Sequence, residues 1–111
     1  MFGGLEQTQV MLVDSGADVS LAPRRLAEVL DLDWAKGKPM VLRGISPEPQ
    51  CAVRGRLFET AVRVLPDGWP LRPPVCFAEG DVPLLAGRRG FLDRLQVELD
   101  GPRRLTRMTR R

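Results

Sequence analysis

Glycine and proline interrupt this chain throughout, with eleven glycines and ten prolines spread over 111 residues. Both residue types are disfavoured inside helices and mark the turns between short elements. The apolar runs between them are short, and the one nearest the N-terminus covers only residues 10–13. A chain of this length forms one domain around one core. The sequence therefore predicts a single all-β domain, mostly strands with one or two short helices.

The positive charge of the chain is concentrated at its C-terminal end. Five of the 17 basic residues are arginines within residues 101–111, a segment that contains no acidic residue. Residues 1–100 hold the other 12 basic and all 14 acidic side chains, so the pI of about 9.5 reflects the tail rather than the domain. No aromatic residue lies among these arginines to stack on a base. A nucleic-acid partner is therefore the least favoured of the hypotheses.

The chain contains no histidine, which excludes Ser-His-Asp and Cys-His catalysis and His-ligated zinc. Cys51 and Cys76 are too far apart in sequence for a CxxC site, and we expect them to be buried, reduced thiols. The lysines are Lys36 and Lys38, in a predicted loop, where a buried Ser-Lys dyad has little support. Carboxylates are the catalytic groups that remain, with no metal site or cofactor expected.

The apolar run over residues 10–13 is too short for a signal-peptide core or a membrane span, so we expect a cytoplasmic protein.

Apolar periodicity predicts the order of the elements. Residues 10–13 form a strand that ends at the polar sequence DSGAD, and Pro23 opens a short amphipathic helix over residues 24–30. Residues 39–45 and 51–54 form a projecting hairpin with a proline-stiffened tip. Further predicted elements are a strand over residues 58–65, a strand over 74–78, an apolar run over 82–87, a helix over 88–95, and a final hairpin that turns at residues 100–101.

Three of these segments together suggest a chemistry. Residues 13–21 (VDSGADVSL) place an acid in a Ser/Gly loop after an apolar strand, and residues 84–92 (LLAGRRGFL) contain a hydrophobic-hydrophobic-glycine step. Residues 38–45 (KPMVLRGI) lie between them. In this order the segments resemble the retroviral-type aspartic proteases of clan AA, the retropepsins, and their single-domain bacterial relatives. The resemblance implies the closed β-barrel of the acid-protease fold, one lobe per chain, over residues 1–101 with a shortened N-terminal strand, and a basic strand or tail over 102–111.

The resemblance implies that Asp14 is catalytic. Hydrolysis of a peptide bond without metal, thiol or imidazole needs one carboxylate as general base and one as general acid. This chain has a single Asp-Ser/Thr-Gly sequence, so the second carboxylate would come from Asp14 of a second copy across a two-fold axis. Ser15 would hydrogen-bond to the partner's loop, and Gly16 would direct its N–H towards the two carboxylates. Ala17 implies a mildly acidic to neutral pH optimum.

Further site residues follow from the same resemblance. Asp18 would form an ion pair with Arg88, either buried or as two solvated charges. Residues 38–45 would form one strand of a flap over the peptide substrate. The implied substrate contacts are Ala17, Asp18, Val41, Gly44, Ile45 and Leu84. The implied structural supports of the site are Leu85, Ala86, Gly87 and Arg88.

One alternative keeps the fold without turnover. Asp14 is then an ordinary turn-stabilising residue, and the chain is a dimerisation or peptide-binding module. The shortened N-terminal strand and the prolines of the flap tip would prevent a productive pair of carboxylates. Peptide binding that does not depend on Asp14 would distinguish this module from the enzyme.

Overall fold

A mixed β-sheet organises the fold in the computed structural model, which describes residues 9–42, 53–65, 68–100 and 105–110. Strands β1 to β10 are, in chain order, Leu12–Val13, Ser20–Pro23, Lys38–Leu42, Val53–Glu59, Val62–Val64, Trp69–Leu71, Pro74–Ala78, Leu85–Ala86, Leu95–Asp100 and Leu105–Arg110. The described helices are α1 (Arg24–Val29) and two 3-10 helices, Trp34–Lys36 and Leu92–Arg94. The expected all-β class with short helices is confirmed.

The main sheet is open and has six strands, in the order β1, β8, β2, β7, β4, β3. β1 runs parallel to β8 and β2 runs parallel to β7, whereas the other neighbours are antiparallel. Strands that are distant in sequence are therefore adjacent in the sheet. The pairing of β1 with β8 places Val13 beside Ala86. Residues 13–21 and residues 84–92 therefore meet at this end of the two strands.

Two hairpins complete the described β structure. β5 pairs with β6, and β9 pairs with β10. The predicted final hairpin is confirmed, but Asp100 pairs with Leu105 at the end of β9, so the predicted turn position at residues 100–101 is wrong. The prediction of one strand over residues 58–65 is wrong, since β4 ends at Glu59 and β5 begins at Val62. Thr60 lies at the break, where its N–H donates to Pro73 O at 3.0 Å and its hydroxyl donates to Phe58 O at 3.0 Å.

The predicted helix over residues 24–30 is confirmed as α1, with Pro23 in extended conformation at its N-cap. The predicted helix over residues 88–95 is wrong, because the chain makes a turn and then the short 3-10 helix. Gly90 has φ +67°, which interrupts right-handed helical geometry, and a Cβ there would lie 3.0 Å from Pro73 Cα. In the described part of the chain, no helix is long and apolar enough to cross a membrane.

Side chains pack on both faces of the main sheet. Ala27 of α1 packs with Ala22, Val75 and Phe77 on one face. The opposite face centres on four other buried residues, Val19, Leu21, Cys76 and Ala78. A third cluster lies where the last 3-10 helix meets the β5–β6 hairpin, and it buries Ala86, Phe91, Leu92 and Leu95. The helix prediction thus placed Phe91, Leu92 and Leu95 correctly in the core although their backbone is not α-helical.

Cys76 is fully buried and reduced, as predicted, whereas Cys51 lies outside the described residues. Desolvation raises the pKa of the Cys76 thiol from 9.0 to about 11. Between these pH values the unfolded chain loses the thiol proton and the folded chain keeps it, so stability falls as pH rises.

We expect the free energy of unfolding to drop by about 2 kcal/mol more between pH 9 and 11 in the wild type than in Cys76→Ala. Chemical denaturation of both proteins across this range measures the difference, because every other titrating group is common to them. Equal pH slopes for the two proteins would contradict the prediction.

Candidate active site

Asp14 lies immediately after β1, in the loop that leads to β2. Its N–H donates to Ala86 O at 3.0 Å, which extends the pairing of β1 with β8 by one residue. Its carbonyl accepts from Ala17 N–H at 3.1 Å, and its Oδ1 accepts from Gly16 N–H at 3.0 Å. The loop is thus a closed turn that fixes one oxygen of its own half-buried carboxylate. The N–H of Gly16 donates to the Asp14 carboxylate, a contact that both the catalytic Asp14 and the turn-stabilising Asp14 of the alternative would make.

The segment after β8 holds the Asp14 loop from its other end. Arg88 N–H donates to Ala17 O at 2.9 Å, and Arg89 N–H donates to Asp18 O at 2.8 Å. Together with the bond from Asp14 to Ala86, these contacts attach both ends of the loop to one continuous segment. Residues some seventy positions apart in sequence therefore form one hydrogen-bonded unit around Asp14.

Gly87 and Ser20 form the buried joint of this unit. Ser20 is fully buried, and its hydroxyl accepts a hydrogen bond from Gly87 N–H at 2.9 Å. A Cβ on Gly87 would lie 2.5 Å from the carbonyl carbon and oxygen of Val19 and 2.9 Å from Ser20 N. All three of these atoms belong to the backbone, so the close approach of the two segments requires glycine. Ser20 was not singled out from the sequence, where a serine inside an apolar run carries no distinctive signal.

Asp18 forms an exposed ion-pair cluster with two arginines. Arg89 Nη2 donates to Asp18 Oδ2 at 2.5 Å, whereas Arg88 Nη2 lies 3.9 Å from Asp18 Oδ1. The predicted pair with Arg88 is therefore present at long range, and the closer partner is Arg89. All three side chains are more than half exposed, so the pairs are solvated and each contributes about 0–1 kcal/mol.

The substrate contacts implied by the sequence occupy different environments. Ala17 is half-buried, and Val41 is half-exposed on the edge strand β3. Leu84 packs with the cluster under α1, whereas Leu85 packs on the opposite face. Gly44 and Ile45 lie outside the described residues, as does the tip of the predicted flap.

The sheet face opposite α1 carries apolar side chains that are only partly covered. The residues concerned are Met40, Leu42, Leu57, Val82 and Leu85. Leu12 is paired with Leu85 in the β1–β8 ladder and is 64% exposed, and Val10 before it is 91% exposed. An apolar surface therefore extends along this face to β1, the strand that ends directly before Asp14. Of these residues only Leu85 was predicted from the sequence to belong to the site, as a structural support.

The site supplies two kinds of chemical group. The Asp14 carboxylate can accept or donate a proton, and the exposed hydroxyl of Ser15 beside it can donate a hydrogen bond. In the described residues, no group of three or more cysteine, aspartate or glutamate side chains is arranged to hold a metal ion.

Comparison with known proteins finds no matching family model, no matching curated protein and no matching solved structure.

Proposed function

We propose that this chain is a homodimeric aspartic endopeptidase with the acid-protease fold, one lobe per chain. The observation that carries the proposal is the Asp14 loop itself. An aspartate follows an apolar strand, its carboxylate accepts the N–H of Gly16, and the loop is attached at both ends to the Ala86–Gly87 step. This arrangement joins two of the three segments that carry the resemblance to retropepsins, residues 13–21 and residues 84–92.

The chemistry requires two carboxylates that share one proton. One of them takes a proton from water as the water attacks the peptide carbonyl, and the other donates a proton to the leaving amine. Asp18 does not serve as the second carboxylate, because its charge is engaged by Arg89. The second carboxylate is therefore Asp14 of another copy, which two-fold symmetry brings opposite the first.

Two features of the described surface support self-association. Leu12 on the edge strand β1 and Val10 just before this strand expose apolar surface next to Asp14 in sequence. The side chain of Ser15 is exposed beside the carboxylate, where its hydroxyl can donate to the loop of a partner. Burying such a patch against its own symmetry copy would stabilise the dimer and form the catalytic pair in the same step.

The substrate would be an extended peptide. An exposed sheet edge such as β3 offers main-chain hydrogen bonds to an added strand, and alternate side chains then enter apolar pockets. The half-covered face with Met40, Leu42 and Leu85 supplies such apolar surface. Leu85 is a better candidate for contact with substrate than Leu84, which packs under α1.

The proposal predicts cleavage of a complex peptide mixture between about pH 4 and 8, with specific activity that rises with protein concentration. The rise follows because only the dimer holds both carboxylates. Mass spectrometry of the products at several protein concentrations, together with sedimentation of the same samples, measures both effects. No cleavage at any pH by a folded dimer would leave the non-catalytic peptide-binding module as the function. Constant specific activity from monomer to dimer would contradict the shared site.

A further inference from the structure

The charges around Asp18 do not balance. One carboxylate faces two guanidinium groups, and Arg89 holds it at 2.5 Å through a charge-assisted hydrogen bond. Arg88 is 3.9 Å away, beyond hydrogen-bond distance, and its side chain is 58% exposed. Within the described ranges, the Arg88 guanidinium donates no hydrogen bond to the protein. It therefore presents positive charge and free donors to solvent.

The backbone of Arg88 lies beside the Asp14 loop. Asp14 N–H bonds to Ala86 O, and Arg88 follows Ala86 by two residues, which span at most about 7 Å of chain. Arg88 N–H in turn bonds to Ala17 O in the Asp14 loop. A substrate in extended conformation advances about 3.3 Å per residue. In the proposed peptidase, an extended peptide centred on Asp14 would therefore bring residues two or three positions from the cleaved bond within reach of the Arg88 side chain.

We propose that Arg88 binds a carboxylate of the substrate, so that the preferred substrates are peptides with Asp or Glu two or three residues from the cleaved bond. This inference rests on the proposed function, because it needs a peptide centred on Asp14. Arg89 does not fill the role, since Asp18 already neutralises it. The two-fold axis supplies a second Arg88, so the preference applies on both sides of the cleaved bond.

The test uses two apolar peptides that differ only in carrying Glu or Gln two residues on either side of the central bond. We expect wild-type kcat/KM to favour the Glu peptide by about threefold to fivefold at low salt, and the ratio to fall as salt is added. Arg88→Gln brings the ratio to about one. Arg25→Gln removes the same charge from the exposed surface of α1 and keeps the wild-type ratio. Asp18→Asn raises the ratio, because it removes the carboxylate that competes for Arg88.

A wild-type ratio near one, or an unchanged ratio in Arg88→Gln, overturns the inference and leaves the peptidase proposal intact. A binding measurement separates the two proposals if neither peptide is cleaved. Fluorescence anisotropy with the same labelled peptides and the folded Asp14→Asn protein should show tighter binding of the Glu peptide, and Arg88→Gln in that background should abolish the difference. Equal affinity for both peptides contradicts the role of Arg88, whereas lack of Asp14-dependent cleavage contradicts catalysis.

Discussion

Asp14→Asn should abolish peptide cleavage while leaving the fold intact. In a symmetric dimer this one substitution removes both carboxylates, and with them the general base and the general acid, each worth about 10²–10⁴ in rate. The asparagine side chain keeps an oxygen that can accept the N–H of Gly16, so the turn of the loop is preserved. Product formation by mass spectrometry, with thermal unfolding of both proteins, measures the two effects separately.

A matched control for this variant is Asp81→Asn, which removes the charge of a fully exposed aspartate whose ion-pair partner is Arg25 of α1, and which should retain wild-type turnover. Mixing gives a second control. Adding Asp14→Asn protein to the wild type should lower the rate, because mixed dimers hold one carboxylate in place of two. Residual cleavage above a few per cent in pure Asp14→Asn protein would assign the reaction to other groups.

The parts of the site that the sequence predicts are those with a local signal. An apolar run that ends at Asp-Ser-Gly identifies the strand and the loop, since polar turn residues after a strand have few other interpretations. The Leu-Ala-Gly step identifies the second segment, and the structure brings it beside the first through the parallel pairing of β1 and β8. The buried contact between Ser20 and Gly87 needs that pairing, and no single segment encodes it.

The wrong sequence predictions fall where the position or conformation of a single residue decides which side chain faces the site. Successive residues in a strand face opposite sides, so Leu84 and Leu85 exchange roles when the register moves by one position. Arg88 and Arg89 differ in the same way, because the turn after Gly87 brings the second arginine, and not the first, onto Asp18. The apolar spacing of residues 91, 92 and 95 fits a helix. Gly90 nevertheless adopts a left-handed conformation that interrupts the predicted helix, and apolar periodicity carries no information on backbone φ.

Gly87→Ala should be the most destabilising single-methyl substitution tested at this site. The added Cβ meets backbone atoms of Val19 and Ser20 at 2.5–2.9 Å, so the segment after β8 must move away from the start of β2. Separation of the segments also removes the hydrogen bond from Gly87 N–H to the buried Ser20 hydroxyl, which costs about 1–3 kcal/mol. With overpacking at about 1–3 kcal/mol, we expect a loss of about 3 kcal/mol or more.

A loss of this size corresponds to a fall in Tm of about 10 °C or more for a chain of this length. Gly80→Ala is the matched control, because it adds the same methyl group where no other atom lies within 4 Å. Gly80 has φ +91°, so this variant reports backbone strain alone, and we expect it to lower the free energy of unfolding by about 1 kcal/mol. Thermal and urea unfolding of both variants measures the difference. Because Gly87 joins the strand after Asp14 to the segment that holds its loop, turnover should fall with the folded fraction in Gly87→Ala and remain near the wild-type value in Gly80→Ala. Equal stability of the two variants would show that the segments around Asp14 are not in this close contact.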